Sequence, residues 1–321
     1  MARRDRGKGS RRASEPLEHP FLDRQQTTDA ILTKLGLSIN MKLDGLLHGD
    51  YRGLVPGHGS DPGETRRYAP GDDVRRIDWN VTARMQEPYI RQTIADRELE
   101  TSVAVDLSPS LDFGTALCEK RDLALAATAA VGFLTARIGN RFGAELIRPS
   151  SIESVPARQG RLHLMAILEK VRTAERATNG RTPLAEGIAR LGGAHRRPGL
   201  RVVISDFLDD SAWPLEMRRL AARHESLAIE IIDPRELELP AVGRMAVIDP
   251  VSGKRREVTT SEKLRRNYAQ AATSQRAANA QAFRDAGTDH LVLRTDRDWL
   301  LDVVQFIAGR RKRQEANARV T

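Results

Sequence analysis

Apolar strands and helices alternate along most of the chain, and this alternation constrains the fold more than any other feature of the sequence. A buried strand is predicted at Thr101–Leu107, and an Ala-rich helix follows at Leu123–Ile138. The pattern then continues through strands at 141–147, 151–157, 200–206 and 227–232 and helices at 162–173, 183–191 and 213–224. Because parallel strands need crossover helices, the sequence predicts an α/β fold with a doubly wound, mostly parallel sheet and helices on both faces.

The remaining segments divide the chain around this predicted domain. We predict a flexible basic leader at 1–27, an N-terminal helix and signature segment at 28–98, the α/β domain at 99–235, a C-terminal β/α extension of the same sheet at 236–310, and a basic tail at 311–321. Residues 48–71 are rich in Gly and Pro and are predicted to form a loop.

Two hairpins and three further elements are predicted outside the alternating core. The extended residues 88–94 are predicted to pair with the strand at 101–107. In the C-terminal extension we predict a hairpin of 245–248 and 257–259, a long polar helix at 261–286, a strand at 290–294 and a final helix at 299–307.

Composition limits the class of protein. With 40% hydrophobic and 30% charged residues, the chain of 321 residues is typical of soluble globular proteins. The single cysteine, Cys118, excludes a disulfide within the chain, and no catalytic role is expected for it. The longest weakly polar run, Leu123–Ala136, is too short to span a bilayer, and no secretory h-region follows the N-terminus. We therefore expect a cytoplasmic protein without a membrane span.

The net charge of +9 arises partly from the two ends of the chain, which are rich in basic residues: Arg3, Arg4, Arg6, Lys8, Arg11, Arg12, Arg310, Arg311, Lys312 and Arg313. Such runs can bind nucleic acid or an anionic membrane, so a nucleic-acid-associated protein is the alternative function. No aromatic residues interleave with these basic residues to stack on bases, and solvated tails are therefore the favoured interpretation.

Five oxygen-bearing side chains form the candidate site. Asp106, Ser108 and Ser110 follow one predicted strand, Thr182 lies at the N-cap of a helix, and Asp206 ends another strand. Ligands in α/β sheets bind beyond the carboxyl ends of the strands, so these residues are predicted to meet at one edge. Hydroxyl and carboxylate oxygens suit Mg²⁺, with Mn²⁺ or Ca²⁺ as alternatives. Since the three hydroxyls are neutral, the ion would accept one more Asp or Glu from a partner protein.

Other interpretations of these residues remain open or are disfavoured. The triplet Asp106-x-Ser108-x-Ser110 is also common in turns and helix caps. A phosphatase of the haloacid dehalogenase type would require a second Asp where Ser108 stands. The sequence has no phosphate-binding Gly-x-x-x-x-Gly-Lys loop, nucleophile elbow or zinc spacing. We therefore expect a non-enzymatic protein.

Two motifs resemble known families. Asp106-Leu107-Ser108-Pro109-Ser110, with Thr182 and Asp206, resembles the metal-ion-dependent adhesion site (MIDAS) of von Willebrand factor type A domains, which have a Rossmann-type sheet. The segment Arg67–Asn80, with Pro70-Gly71-Asp72-Asp73 and Ile77-Asp78-Trp79, resembles the signature of the bacterial DUF58 family, domain of unknown function 58.

The resemblance implies both a mode of action and a partner. It implies that the five residues hold a metal ion for protein–protein interaction, and that the protein acts with a MoxR-type AAA+ ATPase, or its client, in assembly or activation of other proteins. This sequence departs from the pattern at Pro109, inside the metal loop, and at Phe207, where many adhesion-type domains have Gly. Both departures concern loop shape, and neither removes an oxygen ligand.

The signature segment itself is predicted to be structural. Asp72 or Asp73 is expected to cap a helix on which Val74, Ile77 and Val81 share one face. In the same interpretation Trp79 is a packing anchor. The alternative is a charged interaction surface formed around this tryptophan.

Overall fold

The structure, a computed structural model, describes residues 65–69, 74, 77–85, 87–91, 100–137, 139–193 and 199–318. The predicted basic leader 1–27 and residues 28–64 of the predicted N-terminal helix and signature segment lie outside these residues. Ten strands are described: β1 (Thr65–Arg67), β2 (Tyr89–Arg91), β3 (Glu100–Asp106), β4 (Arg141–Arg148), β5 (Ser151–Arg158), β6 (Gly199–Ser205), β7 (Glu225–Ile232), β8 (Arg244–Ile248), β9 (Arg255–Thr259) and β10 (Asp289–Arg294).

A six-stranded sheet forms the centre of the described fold. Its strand order is β10-β7-β6-β3-β4-β5, and every neighbouring pair is parallel except β4 and β5. All residues of β3 and β6 are buried, as expected for strands covered on both faces. The predicted doubly wound, mostly parallel sheet is therefore confirmed.

Eight α-helices are described: α1 (Trp79–Met85), α2 (Lys120–Arg137), α3 (Arg161–Thr173), α4 (Leu184–Gly193), α5 (Trp213–Ala221), α6 (Pro234–Leu237), α7 (Glu262–Ala286) and α8 (Trp299–Ala318). Helices α2, α3 and α8 contribute to the apolar core on one face of the sheet. Helices α4, α5 and α7 contribute to a second core on the opposite face. Helices therefore cover both faces, as the sequence predicted.

Gly199 allows β6 to lie against β3 at the sheet centre. A Cβ atom at Gly199 would lie 2.0 Å from the backbone oxygen of Glu100. Since that contact involves backbone, it cannot be relieved by a side-chain rotation. The close approach places the two strands side by side along their length, and their carboxyl ends therefore emerge together.

The structure corrects four predictions about strands, sheets and helix ends. The hairpin predicted between 88–94 and 101–107 is wrong, because β2 pairs with β1 in a separate two-stranded sheet. Residues 65–67, predicted as loop, thus form a strand. The hairpin predicted at 245–259 is present as β8 and β9, but it forms its own sheet. Helix α8 extends to Ala318, into the segment predicted as a tail.

The signature segment also differs from its prediction. Helix α1 begins at Trp79, and Val74 and Ile77 precede it. Asp78 caps this helix, since its Oδ1 accepts from the backbone of Asn80 at 3.1 Å. Trp79 is 71% exposed, which contradicts its predicted role as a packing anchor. The proposed caps Asp72 and Asp73 lie outside the described residues.

Within the described ranges, no helix combines the length and the apolar character that a bilayer crossing requires.

Candidate metal site

The candidate site lies where the two central strands end. From β3 the chain continues to β4 on one side of the sheet, whereas from β6 it continues to β7 on the other. A crevice forms where the strand order reverses in this way, and ligands of open α/β sheets bind there. Asp106 is the last residue of β3, and Asp206 directly follows β6.

Hydrogen bonds join four of the five predicted ligands. The backbone N–H of Ser108 donates to Oδ1 of Asp106 at 2.8 Å, and the hydroxyls of Ser108 and Ser110 lie 2.9 Å apart. Ser110 Oγ donates to Asp206 Oδ2 at 2.7 Å. Ser110 lies in a 3-10 helix that begins at Pro109, where the fixed φ of proline suits the first position. The structure therefore brings together residues from two strands that are about one hundred positions apart in sequence.

Thr182 lies at the same edge of the sheet but outside this chain of hydrogen bonds. It is 6% exposed, and its hydroxyl has no hydrogen-bond partner among the described residues. Gly187 of α4 packs closely against Ile147, which lies near the carboxyl end of β4, since a Cβ at Gly187 would be 2.1 Å from the Ile147 side chain. This contact positions the start of α4 at that edge of the sheet. Ile147 in turn accepts a backbone hydrogen bond from Leu107 at 2.8 Å. The Thr182 carbonyl, rather than its hydroxyl, is bonded to the helix, through Leu184 N at 2.9 Å.

Ser205 and Leu208, which the sequence analysis did not single out, donate hydrogen bonds to the two aspartates. Ser205 Oγ donates to Asp106 Oδ2 at 2.6 Å and accepts from the backbone of Phe207 at 3.0 Å. Phe207 has φ of 52°, a left-handed conformation that is uncommon for residues other than Gly. This conformation precedes Leu208, whose N–H donates to Asp206 Oδ1 at 3.1 Å. The departure from Gly at 207 thus keeps the backbone shape that Gly would favour.

Lys120, at the start of α2, is the largest omission of the sequence analysis. Its side chain is fully buried, and Nζ donates to Asp206 Oδ2 at 2.8 Å and to Glu236 Oε1. Glu236 is held by a capping box, in which its side chain accepts from Asp233 N at 3.0 Å. The capping box could have been predicted from the sequence Asp233-Pro234-Arg235-Glu236. The burial of Lys120 could not, because it depends on tertiary contacts.

Helix α7 is connected to the site through Arg276. Its Nη1 donates to the backbone oxygen of Asp206 and to Glu230 Oε1, both at 2.8 Å. Glu230 also accepts from Asn279 at 2.9 Å, and its other oxygen lies 3.0 Å from His290 Nε2. Two charged groups that contact Asp206, Lys120 of α2 and Arg276 of α7, therefore come from helices that the sequence analysis did not assign to the site.

Burial and charge shift the pKa values of the site. Burial, and secondly the charge of Asp206, raise the pKa of Asp106 to about 6. Burial also acts to raise the pKa of Asp206, but the ammonium of Lys120 more than offsets it, and that pKa is lowered. Burial acts to lower the pKa of Lys120, but Asp206 and Glu236 keep it raised. Asp206 and Lys120 are therefore a charged pair at neutral pH.

The donor set fits a hard divalent cation. Two carboxylates and three hydroxyls supply oxygen ligands of the kind that Mg²⁺ prefers. The hydroxyl of Thr182 supports this fit, because a buried hydroxyl without a partner is costly unless a ligand satisfies it. The site is not of the carboxylate- or imidazole-rich kind: in the described part of the chain, no group of three His, Cys, Asp or Glu side chains is arranged to hold a metal.

The fold and site together define an α/β protein with an oxygen-rich cluster at the switch point of its sheet. The model of the family described as "Protein of unknown function DUF58" matches residues 64–278, more than half of the chain. The chain belongs to this family.

Relatives of similar length are found in mycobacteria. The chain is 52% identical over 284 residues to "Uncharacterized protein Rv1480" of Mycobacterium tuberculosis and to "Uncharacterized protein Mb1516" of Mycobacterium bovis. In each comparison the match covers 88% of this chain and 90% of the relative.

Two solved structures are similar to this chain at low sequence identity and low TM-score. The hypothetical protein BatB from Bacteroides thetaiotaomicron is 13% identical with a TM-score of 0.40, covering 67% of this chain and 99% of its own. The SpRpn10 VWA domain is 12% identical with a TM-score of 0.36, covering 64% and 93%. At such low TM-scores, the fold is assigned from the strand order and not from these similarities.

Proposed function

We propose that this protein is a non-enzymatic protein-binding module whose recognition site is a divalent cation, Mg²⁺ in the first place, with Mn²⁺ or Ca²⁺ as substitutes. In this proposal Asp106, Ser108, Ser110 and Thr182 hold the ion, directly or through water, and Asp206 anchors it from the second strand. The bound ion supplies an electrophilic position for an Asp or Glu of a partner protein. We also propose that the protein acts in the cytoplasm.

The unpartnered hydroxyl of Thr182 carries the proposal. The other four residues satisfy one another by hydrogen bonds, which a purely structural cluster would also do. Thr182 Oγ1 is buried at the same edge without any partner among the described residues, and a buried hydroxyl of this kind favours a ligand that satisfies it. A cation between this hydroxyl and the serines would satisfy it.

Charge supports a binding role for such an ion. Lys120 already neutralises part of the charge of Asp206, so the protein does not fully compensate a divalent ion. Ser110 is only partly buried, which leaves the cluster accessible from solvent. An external carboxylate can therefore reach the ion and complete its charge balance.

The first prediction concerns metal binding by the purified chain. Mg²⁺ is expected to raise the thermal unfolding midpoint of the wild type, because a ligand that binds only the folded state stabilises it. Asp106→Ala, which removes the carboxylate after β3, is expected to abolish this shift. The measurement is differential scanning fluorimetry with and without excess Mg²⁺.

A second test variant and one control variant complete that experiment. Thr182→Val keeps the size of the side chain and removes the hydroxyl, and it is expected to weaken the Mg²⁺ response. Asp285→Asn removes an exposed carboxylate of α7 and is expected to leave the response unchanged. An equal Mg²⁺ shift in wild type and Asp106→Ala would contradict the proposed site.

The proposed partner is a MoxR-type AAA+ ATPase or its client, as the family resemblance implies. The chain, immobilised with Mg²⁺, is expected to retain the MoxR-type ATPase from the same organism and to release it with EDTA. The Asp106→Ala variant is expected to retain none. Retention that persists in EDTA but is lost at high salt would instead indicate binding through the basic residues.

A further inference from the structure

Lys120 places a permanent positive charge inside the candidate metal site. Its side chain is fully buried, although lysine is among the residues least often buried. Nζ donates a hydrogen bond to Oδ2 of Asp206, and the same oxygen accepts a hydrogen bond from the hydroxyl of Ser110. A cation bound at Ser110 therefore shares its anionic partner with an ammonium group.

We infer that Lys120 and a divalent cation compete for the carboxylate of Asp206, so that Lys120 sets the metal affinity of the site and neutralises it when no metal is bound. The inference rests on the proposed function and deepens it, because it names the group that regulates metal binding. Lys120 acts here as a built-in counter-ion.

The bonding of Asp206 explains why competition is expected. Oδ1 already accepts from Leu208 N at 3.1 Å, and Oδ2 accepts from both Ser110 and Lys120. Few lone pairs remain for a metal or for a metal-bound water. In a buried site with a low effective dielectric constant, the repulsion between the ammonium and a divalent ion is also large.

Glu236 gives Lys120 an alternative position when a metal binds. Its Oε1 already accepts from Nζ, while Oε2 accepts from Asp233 N at 3.0 Å and lies 3.5 Å from Arg276 Nη2. The carboxylate is therefore fixed beside the ammonium and need not move. Lys120 can move from Asp206 to Glu236 without losing a counter-ion, so the metal does not have to expel a buried charge.

A purely structural role for Lys120 predicts a different behaviour. If the ammonium only compensated the buried carboxylates, its removal would lower stability and leave the metal affinity of the folded protein unchanged. Competition predicts that removal of the ammonium strengthens metal binding. The two roles are therefore distinguished by affinity and not by stability.

The experiment measures Mn²⁺ binding to the full chain by calorimetry and by the loss of free Mn²⁺ signal in electron paramagnetic resonance. Lys120→Met is expected to bind Mn²⁺ at least about tenfold more tightly than wild type. Lys170→Met is the matched control, because it removes an exposed lysine of α3 that pairs with Glu153 of β5. This control is expected to bind like wild type.

Two further variants decide the question if Lys120→Met does not fold. Glu236→Gln keeps the Lys120–Asp206 pair and leaves the ammonium with a single carboxylate, so it is expected to bind Mn²⁺ more weakly than wild type. The double variant Lys120→Met with Glu236→Gln removes both charges and is expected to bind more tightly than Glu236→Gln alone. Equal affinities within either comparison would overturn the inference.

Failure of this inference is distinguishable from failure of the proposed function. If wild type binds Mn²⁺, Asp106→Ala does not, and the Lys120 variants bind like their parents, then only the competition is wrong. If neither wild type nor any Lys120 variant binds Mn²⁺, both the site and the competition are wrong. If only the Lys120→Met variants bind, the competition stands, but the wild-type protein does not use a metal and the proposed function is wrong.

Discussion

At the scale of single residues, Phe207 shows how backbone shape is held without glycine. Its left-handed φ of 52° is a conformation that costs a residue with a side chain about 1 kcal/mol or more. The ring packs 5.1 Å from Trp213 and 4.9 Å from Phe283, and this burial offsets the strain. As a result the N–H groups of Phe207 and Leu208 point back at Ser205 and Asp206.

The thiol of Cys118 is expected to be chemically inert in the folded protein. Burial, and secondly the charge of Asp122, raise the pKa of the Cys118 thiol to about 12, and its side chain is only 8% exposed. Because the thiolate is the reactive form, a thiol reagent at pH 8 should label the native protein far more slowly than an exposed cysteine. Spectrophotometric titration with Ellman's reagent measures this.

The same reagent in denaturant provides the control for Cys118. The unfolded chain should release one equivalent of chromophore, since the sequence contains one cysteine. Full labelling of the native protein within minutes at pH 8 would show that the thiol is accessible and ionisable.

Residue types and their positions after strands predicted which oxygen-bearing side chains would lie together, but not the lysine beside them. Asp106, Ser108, Ser110 and Asp206 could be predicted because their positions after strands fix which edge of a parallel sheet they occupy. Lys120 could not, because a lysine at the start of a helix is ordinarily solvated. Its burial follows from the packing of α2 against the sheet and from its pairing with Glu236 of α6, which no local pattern encodes.

At the scale of elements, helix α7 depends on very few buried side chains. Among its described residues only Asn279 and Phe283 are buried, whereas most of the helix is exposed. Ser261 caps its start, with Oγ accepting from Leu264 N at 3.3 Å, and Gly287 ends it in a left-handed conformation. Arg276 connects this weakly buried helix to Asp206, so its docking matters for the site.

Truncation of Phe283 is expected to detach α7. The ring is fully buried and lies near Phe207, Trp213 and His290, with centroid distances of 4.9, 5.1 and 4.6 Å. Phe283→Ala should lower the free energy of unfolding by about 3–5 kcal/mol, because it removes a large buried side chain and leaves a cavity. Guanidinium denaturation followed by circular dichroism measures the change.

Leu264 of the same helix is the matched control. It is 36% exposed, and Leu264→Ala should change the free energy of unfolding by less than about 1 kcal/mol. A similar loss for both variants would mean that α7 is held by its whole length and not by the aromatic cluster.

Elements with strong periodicity were predictable, whereas pairing between distant segments was not. The strands at 101–107 and 200–206 were placed within one or two residues, because continuous apolar runs are typical of covered parallel strands. The hairpin of 88–94 with 101–107 was wrong because the neighbour in sequence is not the neighbour in space. Tyr89–Arg91 instead pairs with Thr65–Arg67, and no local signal favoured that partner.

At the scale of the whole molecule, the carboxylate of Asp233 connects three separate segments. Asp233 accepts from the backbone and the hydroxyl of Thr115 at 2.8 and 2.6 Å, from Thr295 Oγ1 at 2.7 Å, and from Arg235 N at 2.9 Å. These donors come from the loop before α2, the turn after β10 and the start of α6. Asp233 is itself fully buried, so the three segments converge on one anion.

Asp233 is expected to make stability depend on acid pH. Burial acts to raise its pKa, but hydrogen bonds from Thr115, Arg235 and Thr295 more than offset this and lower the pKa below the usual 3.8. Its contribution is therefore fully present above pH of about 4 and is lost as the pH falls through the folded pKa. Asp233→Asn should cost about 1–3 kcal/mol at pH 7 and less at pH 3.

Urea denaturation of both proteins at pH 7 and pH 3 measures this dependence. Asp210→Asn is the control, because Asp210 is 75% exposed and its pairing with Arg181 is long, at 3.4 Å. That variant should match wild type at both pH values. A stability difference for Asp233→Asn that is independent of pH would contradict the assigned charge.

At one edge of the central sheet, the edge strand is poorly suited to pair with a strand of a second molecule. β5 is the outermost strand on that side, and Pro156 within it is exposed and has no N–H to donate. The pairing of β5 with β4 is also irregular between Phe142 and Ala144. A strand of a second molecule that paired with β5 would lack a backbone hydrogen bond at Pro156. This disfavours aggregation through edge-strand pairing in concentrated solutions.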